Sequence, residues 1–372
     1  MGAVVDDSQV LVLDGVAKQY GELSALEPTT FAVERGEFLT LLGPSGSGKS
    51  TLLKLIAGFE TPSSGAILLR SRDISGLTPA QRQLGMVFQS YSLFPNLTVA
   101  QNIEYGLKRR KWSPSRRRTR VAEMLGIVKL EHRADALPVE LSGGQQQRVA
   151  VARALAYDPD VLLMDEPLGA LDRTLRLEME SEIKRIHAEL GTTFIYVTHD
   201  QQEAMHLSTR IAIMSDARVV ALGRPDDLFR NPPNAFTAEF FSDATTIDAE
   251  IDSNNRFRFA NGVENWEAPA GMTAGRYTLG IRPRAARLGI IEGAPMLRGH
   301  VRSSMLFGDE VRLLIDSDDV KGLRVVIPTR GNTFSPGDRV DVSIPWDDAI
   351  LLLNAAERTA VPVGADGPSS TY

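Results

Sequence analysis

A short segment near the start of the chain combines glycines, a lysine and a serine in an order suited to binding phosphate. Gly43 to Ser50 reads GPSGSGKS, which fits the pattern G-x-x-x-x-G-K-[ST] at every specified position. Glycines let backbone N–H groups approach a phosphate closely, and Lys49 supplies a positive charge. The hydroxyl of Ser50 suits a Mg²⁺ ion. The segment therefore predicts a site for the phosphates of a nucleotide.

The flanking residues predict the elements that hold this loop. Residues 38–42 form a short apolar run typical of a buried parallel strand, and residues 51–57 favour a helix that ends at Gly58. In the order strand, loop and helix, the N–H groups at the start of the helix point at the phosphate. This context favours a functional loop over a glycine-rich turn with a chance lysine.

A second glycine-rich turn lies far downstream, at LSGGQ from Leu141 to Gln145, and precedes a helical run that ends near Asp158. Ser142 is a preferred N-cap residue, and the following two glycines predict a bare helix N-terminus that favours an anion. Read alone, the turn is equally typical of an ordinary capped helix. A chain with one loop of each kind resembles half of a two-site ATPase.

Polar residues follow three apolar runs that are predicted to be strands. Asp165 and Glu166 follow residues 161–164, His199 follows residues 193–198, and Gln89 follows residues 86–88. Open α/β sheets bind ligands at the carboxyl ends of their strands, so these side chains are expected to share one edge. At that edge Asp165 suits Mg²⁺, and the carboxylate of Glu166 is placed to polarise an attacking water.

In this order the motifs resemble those of the ATP-binding subunits of ATP-binding-cassette (ABC) transporters, over about residues 10–240. The resemblance implies a P-loop NTPase fold of the α/β class, with a RecA-like core, a β-rich shoulder and a helical subdomain at about residues 90–150. It also implies ATP and Mg²⁺ as cofactors. One departure is Gly169, which stands where a serine is common at the start of the D-loop.

The resemblance also assigns roles to individual residues. The catalytic residues would be Lys49, Gln89, Glu166 and the switch histidine His199, and the metal ligands would be Ser50, Gln89 and Asp165. The nucleotide-binding residues would be Tyr20, which would stack on adenine, the loop residues Gly43, Pro44, Ser45, Gly46, Ser47, Gly48, Lys49, Ser50 and Thr51, the signature residues Ser142, Gly143, Gly144 and Gln145, and the D-loop residue Asp172. The remaining histidines are interpreted as structural.

By the same resemblance, two copies pack head to tail, so that each ATP lies between Lys49 of one copy and Ser142 of the other. Transmembrane permease subunits would be further partners, and a solute-binding protein an indirect one. The segment from Met86 to Pro95 most resembles the spermidine/putrescine branch of the importers. Importers of iron(III), phosphonate or sugar remain alternatives. A soluble ABC ATPase of DNA repair or translation, and a purely regulatory binding module, are the other classes considered.

Composition bounds these interpretations. A chain of 372 residues suggests about two or three domains. No apolar run is long enough for a transmembrane helix, the first nine residues lack the pattern of a secretory signal, and cysteine is absent. The net charge of −6 gives no general reason to bind nucleic acid. The expected location is the cytoplasmic face of the plasma membrane, as a peripheral subunit.

The last third of the chain changes character. Short β-runs separated by turn residues begin at about residue 243, and Ile281-Arg282-Pro283 resembles a motif of the oligonucleotide-binding-like (TOBE) barrels appended to importer ATPases. We predict a flexible N-terminus at 1–9, a nucleotide-binding domain at 10–242, a TOBE domain at 243–356 and a disordered tail at 357–372.

Eight basic residues between Lys108 and Arg120 are the exception to the acidic balance. They are interpreted as a solvated helix face, with contact to an anionic membrane or to an acidic partner loop as the alternative.

Overall fold

The computed structural model describes residues 8–169, 171–259, 265–269, 271–329 and 333–353. Most of the predicted flexible N-terminus and the whole predicted tail lie outside these residues. The chain divides into two compact units between Pro225 and Asp226. The predicted boundary between residues 242 and 243 stays a prediction.

The first unit contains two sheets. Its strands are β1 (Gln9–Tyr20), β2 (Leu23–Glu34), β3 (Phe38–Leu42), β4 (Ser64–Leu69), β5 (Arg72–Asp73), β6 (Gly85–Val87), β7 (Val161–Asp165), β8 (Thr193–Thr198), β9 (Arg210–Ser215) and β10 (Arg218–Gly223). The antiparallel sheet has the order β2-β1-β4-β5 and is the predicted β-rich shoulder. The other sheet has the order β10-β9-β3-β8-β7-β6 and is parallel except for β10.

Helices surround the parallel sheet. They are α1 (Lys49–Ala57), α2 (Pro79–Arg82), α3 (Val99–Arg109), α4 (Pro114–Ile127), α5 (Gly143–Leu155), α6 (Arg173–Leu190) and α7 (Gln201–Leu207). Short 3₁₀ turns at Glu131–Arg133 and Pro138–Glu140 complete the segment that was predicted to be helical at 90–150. None of the helices in the described ranges combines the length and the apolar character needed to cross a bilayer.

The apolar runs of the parallel sheet are buried on both faces, which explains why they do not alternate with polar residues. Side chains nevertheless alternate between two cores, because successive residues of a strand point to opposite faces. In β8, Phe194 and Tyr196 pack with the helical subdomain, whereas Ile195 and Val197 pack on the side of α1 and the shoulder. Truncating a buried side chain such as Phe194 to alanine typically costs about 3–5 kcal/mol of stability. Close packing on both faces makes this sheet a rigid base for the loops at its edge.

The basic run lies at the end of α3 and in α4, and much of it is engaged within the protein. Lys108 and Arg117 both contact the carboxylate of Glu104, each at 2.7 Å. The guanidinium of Arg116 lies 3.6 Å from the ring centre of Trp112, and Arg120 donates to the carbonyl of Ala156. These contacts give part of the run a structural role in joining two helices, and the interpretation of the whole run as a solvated helix face stays a prediction.

The second unit begins with two short helices and continues as antiparallel strands. Its elements are α8 (Pro225–Arg230), α9 (Ala235–Ser242), β11 (Thr245–Ile251), β12 (Arg256–Phe259), β13 (Asn265–Glu267), β14 (Gly275–Ile281), β15 (Arg287–Leu288), β16 (Met296–Phe307), β17 (Glu310–Ser317), β18 (Leu323–Pro328), β19 (Arg339–Ser343), a 3₁₀ turn at Trp346–Asp348 and β20 (Ala349–Leu353).

These strands form two five-stranded sheets, with the orders β13-β12-β11-β14-β20 and β15-β19-β16-β17-β18. One apolar core is shared by both sheets and includes Phe257, Leu279, Val301 and Leu313. The indole of Trp266 spans from one sheet to the other and donates to the carbonyl of Met296 at 3.2 Å. The predicted barrel-like all-β region is thereby confirmed.

Candidate functional site

Neighbouring strands of the parallel sheet end level with one another. Leu42 at the end of β3 pairs with Thr198 at the end of β8, and Val197 of β8 pairs with Asp165 at the end of β7. The residues that follow each strand therefore emerge together at one edge. Asp165, Glu166, His199 and Gln89 were predicted to share one edge, and this register brings Asp165, Glu166 and His199 to it together with the glycine loop.

The glycine loop needs its glycines for two different reasons. A Cβ at Gly43 would lie 2.2 Å from the carbonyl oxygen of Met214, so only glycine fits beside β9. Gly46 and Gly48 instead have φ angles of 83° and 97°, which side chains disfavour. Gly48 is the N-cap of α1 and offers no side-chain cap to the first helical turn. The N–H groups of that turn are thus left for a ligand.

Lys49 is 5% exposed and points back into the loop. Its ammonium donates to the carbonyls of Gly43 and Pro44, each at 2.8 Å, and approaches the hydroxyl of Ser47. Burial lowers the pKa of Lys49, while the negative charges of Glu166 and Asp165 oppose that shift. The carbonyls of Gly43 and Pro44 therefore hold the ammonium of Lys49 inside the glycine loop.

The two carboxylates at the end of β7, Asp165 and Glu166, differ in their surroundings. Burial raises the pKa of Asp165, and the adjacent charge of Glu166 raises it further. Glu166 has a φ of 43°, which is rare for a residue with a side chain and turns the chain sharply at the edge of the sheet. Its N–H still donates to the carbonyl of Val197, at 3.1 Å. Such strained backbone is typical of functional positions.

His199 meets Glu166 across the ends of β8 and β7. The distance from Nδ1 of His199 to Oε2 of Glu166 is 3.4 Å, and the imidazole is 61% exposed. Gln89 is also exposed, and its amide nitrogen lies 3.6 Å from the position of a Cβ on Gly169. The structure thus brings together the glycine loop, Asp165, Glu166 and His199, with Gln89 beside the turn that follows Glu166.

The segment after Gln89 is held in an unusual conformation. Tyr91 and Ser92 have φ angles of 56° and 47°, and α5 reaches across to hold them. Arg153 of that helix donates to the carbonyl of Ser92 at 2.8 Å and to that of Tyr91 at 3.1 Å. One arginine therefore ties this strained segment to the helix that begins at the second glycine turn.

The second glycine turn is partly capped, so the prediction of a bare helix N-terminus is wrong in part. Ser142 accepts from the N–H of Gln145 at 3.4 Å, and the amide oxygen of Gln145 accepts from the N–H of Ser142 at 3.0 Å. Gly144 is buried against α6. A Cβ at this position would lie 2.8 Å from the side chain of Leu175. The missing side chain of Gly144 leaves room for Leu175, and Ser142 is an exposed residue.

Asp172 is the N-cap of α6 and accepts from the N–H of Leu175 at 3.0 Å. Ser142 and Asp172 thus lie at the starts of two helices that pack together through Gly144 and Leu175. Within the described part of the chain, no hydrogen bond or ion pair joins them to Lys49, Asp165 or Glu166. By these contacts Ser142 and Asp172 form one group of predicted site residues, and the glycine loop, Asp165, Glu166 and His199 form another.

Tyr20 lies at the end of β1 and is 47% exposed. The ammonium of Lys18 lies 4.9 Å from its ring centre, and Lys18 also pairs with Glu60 at 3.1 Å. The hairpin of β1 and β2 packs against the glycine loop, because the carbonyl of Ala25 lies 3.0 Å from a Cβ position on Gly48. The aromatic ring is thus presented by the hairpin that borders the loop.

A polar cluster behind His199 was missed from the sequence. Glu203 of α7 is buried and accepts from the hydroxyls of Tyr196 at 2.8 Å and Thr198 at 2.7 Å. Arg176 of α6 reaches the same cluster. The only signal in the sequence was spacing, since Glu203 lies four residues after His199 and Arg176 four residues after Asp172.

A parallel sheet with a G-x-x-x-x-G-K-[ST] loop and paired carboxylates defines a nucleotide-binding ATPase fold, and comparison with known proteins specifies the class. The ABC transporter family model matches residues 26–169, and the TOBE domain model matches residues 279–352. Both matches agree with the predicted fold class.

Known relatives extend the match to most of the chain. The spermidine/putrescine import ATP-binding protein PotA of Ruegeria pomeroyi is 42% identical over 89% of this chain and 92% of its own length. The protein of that name from Thermobifida fusca is 43% identical over 86% and 88%. The Fe(3+) ions import ATP-binding protein FbpC of Fusobacterium nucleatum is 46% identical over 65% of each chain. The chain belongs to the family of ABC importer ATP-binding proteins and is an ATPase.

Solved structures agree with this assignment. The cbiO1 subunit of the cbiONQ ABC transporter complex of Clostridium perfringens is 31% identical, with a TM-score of 0.56 over 59% of this chain and 90% of that one. A bacterial ABC transporter cassette solved as a dimer is 36% identical, with a TM-score of 0.51 over 57% and 98%.

Proposed function

We propose that this ATPase energises the import of a polyamine, spermidine or putrescine, through a membrane permease. The observation that carries the proposal is the extent of the match to relatives named for spermidine/putrescine import, which covers 89% of this chain in the Ruegeria pomeroyi protein. The relative named for iron import matches 65%. Iron(III) import is therefore the second candidate.

The test is uptake of labelled spermidine, putrescine and iron(III) by cells in which the gene is disrupted. Restoration of polyamine uptake by the wild-type gene, and not by the Glu166→Gln variant, is the expected result. Loss of iron(III) uptake with normal polyamine uptake would instead favour the second candidate. Including the inactive variant separates a requirement for hydrolysis from a requirement for the presence of the subunit.

In the proposed mechanism the glycine loop and the first turn of α1 bind the β- and γ-phosphates of ATP, and Lys49 neutralises their charge. Glu166 orients or deprotonates the attacking water, and His199 contacts the γ-phosphate from the neighbouring strand. Gln89 reports the presence of that phosphate to the segment that follows it. Phosphoryl transfer passes through a loose transition state, so these residues act chiefly by positioning and by stabilising charge.

The donors at the sheet edge fit Mg²⁺. This ion prefers oxygen ligands and is usually held by one or two carboxylates together with substrate phosphates. Asp165 and the exposed hydroxyl of Ser50 offer such a partial set, and the amide of Gln89 adds a third oxygen donor. When bound, the ion neutralises charge that develops on the phosphate oxygens.

The two groups of site residues support a head-to-tail dimer. Within the described residues, Asp172 and Ser142 make no hydrogen bond or ion pair with Lys49, Asp165 or Glu166, and a related cassette was solved as a dimer. In the proposed pair, Ser142 and the N-terminus of α5 face the γ-phosphate bound at Lys49 of the other copy. ATP closes the pair and hydrolysis reopens it, which is a ligand-driven shift between two states.

We further propose that permease subunits, and indirectly a solute-binding protein, are partners, and that the subunit lies at the cytoplasmic face of the membrane. The relatives' names, which describe import ATP-binding proteins, support this arrangement. Co-purification of the tagged chain with an integral membrane protein is expected. Recovery without one would favour a soluble ABC ATPase.

A further inference from the structure

His199 is exposed, yet the residues on both sides of it are fixed. The hydroxyl of Thr198 donates to Glu203 and accepts from the N–H of Asp200 at 3.0 Å. Asp200 in turn caps α7 by accepting from the N–H groups of Gln202 and Glu203. The backbone that carries the imidazole is therefore set by the cluster of Thr198, Asp200 and Glu203 rather than by contacts of the ring itself.

Glu203 needs a positive partner, because a buried carboxylate without one is costly. Burial raises its pKa, and the hydroxyls of Tyr196 and Thr198 both donate to Oε2. The other oxygen, Oε1, lies 3.7 Å from Nε of Arg176. Nε makes no hydrogen bond within the described residues, so its contact with Glu203 is an ion pair without a hydrogen bond.

Arg176 joins this cluster to a second segment. Its Nη1 lies 3.5 Å from Oδ2 of Asp200, and its Nη2 donates to the carbonyl of Leu171 at 3.1 Å. Leu171 directly precedes Asp172, the predicted D-loop residue. Arg176 is in the first turn of α6, where the helix dipole disfavours a cation. The carboxylates of Asp200 and Glu203 are what offset that cost.

We propose that Arg176 is a positioning residue that couples the D-loop backbone at Leu171 to the switch histidine through Asp200 and Glu203. The inference rests on the roles proposed above for Asp172 and His199. A guanidinium is planar and holds its donors in a fixed fork, so displacement of Leu171 is passed to Asp200 rather than absorbed. A change at the dimer-facing D-loop would thereby reach His199 of the same chain.

The first test compares Arg176→Ala with Arg185→Ala in the full chain. Arg185 is a matched control on the same helix, because its side chain is 32% exposed against 31% for Arg176 and also contacts carboxylates and a carbonyl. A misplacement of about 1 Å can cost ~10²-fold in rate. Arg176→Ala is expected to lower kcat by about ten- to a hundredfold with KM within about twofold, and Arg185→Ala to leave both near wild type.

Two further variants keep the test informative if Arg176→Ala does not fold. Arg176→Lys retains a charge near Asp200 but cannot also span to Leu171, so part of the activity is expected to return. Asp200→Asn retains a good capping side chain and removes only the ion pair. It is expected to lower kcat in the same direction as Arg176→Ala.

The second test follows the imidazole directly. The chain has five histidines, so a histidine-labelled sample gives a simple NMR spectrum in which loss of a signal in His199→Gln assigns His199. Arg176→Ala is expected to shift or broaden the His199 signal, and Arg185→Ala to leave it in place. An unchanged His199 signal, or equal kcat in the two alanine variants, would overturn the inference while leaving the proposed function intact. Absence of ATPase activity in the wild type would instead overturn the proposed function.

Discussion

Glu166 and His199 face each other at 3.4 Å from the ends of neighbouring strands. Their separation is set by the pairing of β7 with β8, because Asp165 stands opposite Val197 in that ladder. Both side chains belong to loops, yet the strands below them are buried and rigid. The pairing of the two strands therefore sets how far apart these two catalytic candidates stand.

Replacing Glu166 by Gln should separate binding from hydrolysis. The amide keeps the shape of the side chain but removes the base, and general-base catalysis typically contributes 10²–10⁴-fold. We expect kcat to fall by about that factor, with ATP-bound dimers accumulating on a sizing column. Normal steady-state turnover by this variant would remove Glu166 from the mechanism.

Removing the cation of Lys49 should weaken ATP binding. Hydrogen bonds to charged groups contribute about 1.5–3 kcal/mol, so the Kd for ATP is expected to rise at least about tenfold in Lys49→Ala. Lys54→Ala is the matched control, since Lys54 is an exposed lysine of the same helix. Isothermal titration with ATP measures both, and equal affinities would contradict the assigned role of Lys49.

Asp165 is expected to lower the stability of the folded protein while being required for ATP hydrolysis. Burial and Glu166 raise its pKa in the folded state. Folding therefore favours the protonated form of Asp165. The stability that this protonation gives the folded state is lost as pH rises through the raised pKa. Asp165→Asn should have a higher Tm than wild type near neutral pH without nucleotide, and should not hydrolyse ATP. The Tm difference should narrow as pH is lowered, and a constant difference would point to another cause.

The loop glycines should respond differently to alanine. At Gly43 a Cβ would overlap the carbonyl of Met214, which is backbone and cannot move aside. At Gly46 nothing lies within 4 Å, so the cost is that of a left-handed residue, about 1–2 kcal/mol. Thermal unfolding should therefore show a larger loss of Tm for Gly43→Ala than for Gly46→Ala. The reverse order would mean that the loop is free to move away from β9.

Mixing inactive subunits tests the shared site. Lys49→Ala and Ser142→Arg are each expected to be inactive as homodimers, since every site then lacks one partner. In a mixed dimer one site keeps Lys49 and Ser142 intact. About half of randomly formed dimers are mixed, and each mixed dimer has one intact site out of two. The mixture should therefore recover about a quarter of the wild-type activity. Activity as high as wild type would contradict the shared-site arrangement.

The sequence was sufficient to predict the parts of the site that depend on local order. The loop from Gly43 to Ser50, the strand ending at Asp165 and the helix ending at Gly58 are all found where local patterns predict them. Such features depend on strand burial, φ preferences and capping, which act between close neighbours in the chain.

Long-range packing explains what could not be predicted. Gly144 was interpreted as leaving a helix end bare, but its missing side chain makes room for Leu175, 31 positions along the chain. The link from Arg176 to Asp200 likewise depends on how α6 and α7 dock. Contacts of this kind depend on the tertiary fold. They cannot be predicted from the spacing of residues within a single helix or strand.

The strained segment after Gln89 has an energetic consequence. Two adjacent residues with side chains, Tyr91 and Ser92, stand in the left-handed region, at a cost of about 1–2 kcal/mol each. Arg153 holds both carbonyls in place. Burial of Tyr91 and the N–H groups of Tyr91 and Ser92, which donate to the carbonyls of Phe88 and Ser90, stabilise the same strained conformation. If both residues left the left-handed region, about 2–4 kcal/mol of backbone strain would be relieved. That free energy changes the ratio of two conformations by roughly thirty- to a thousandfold.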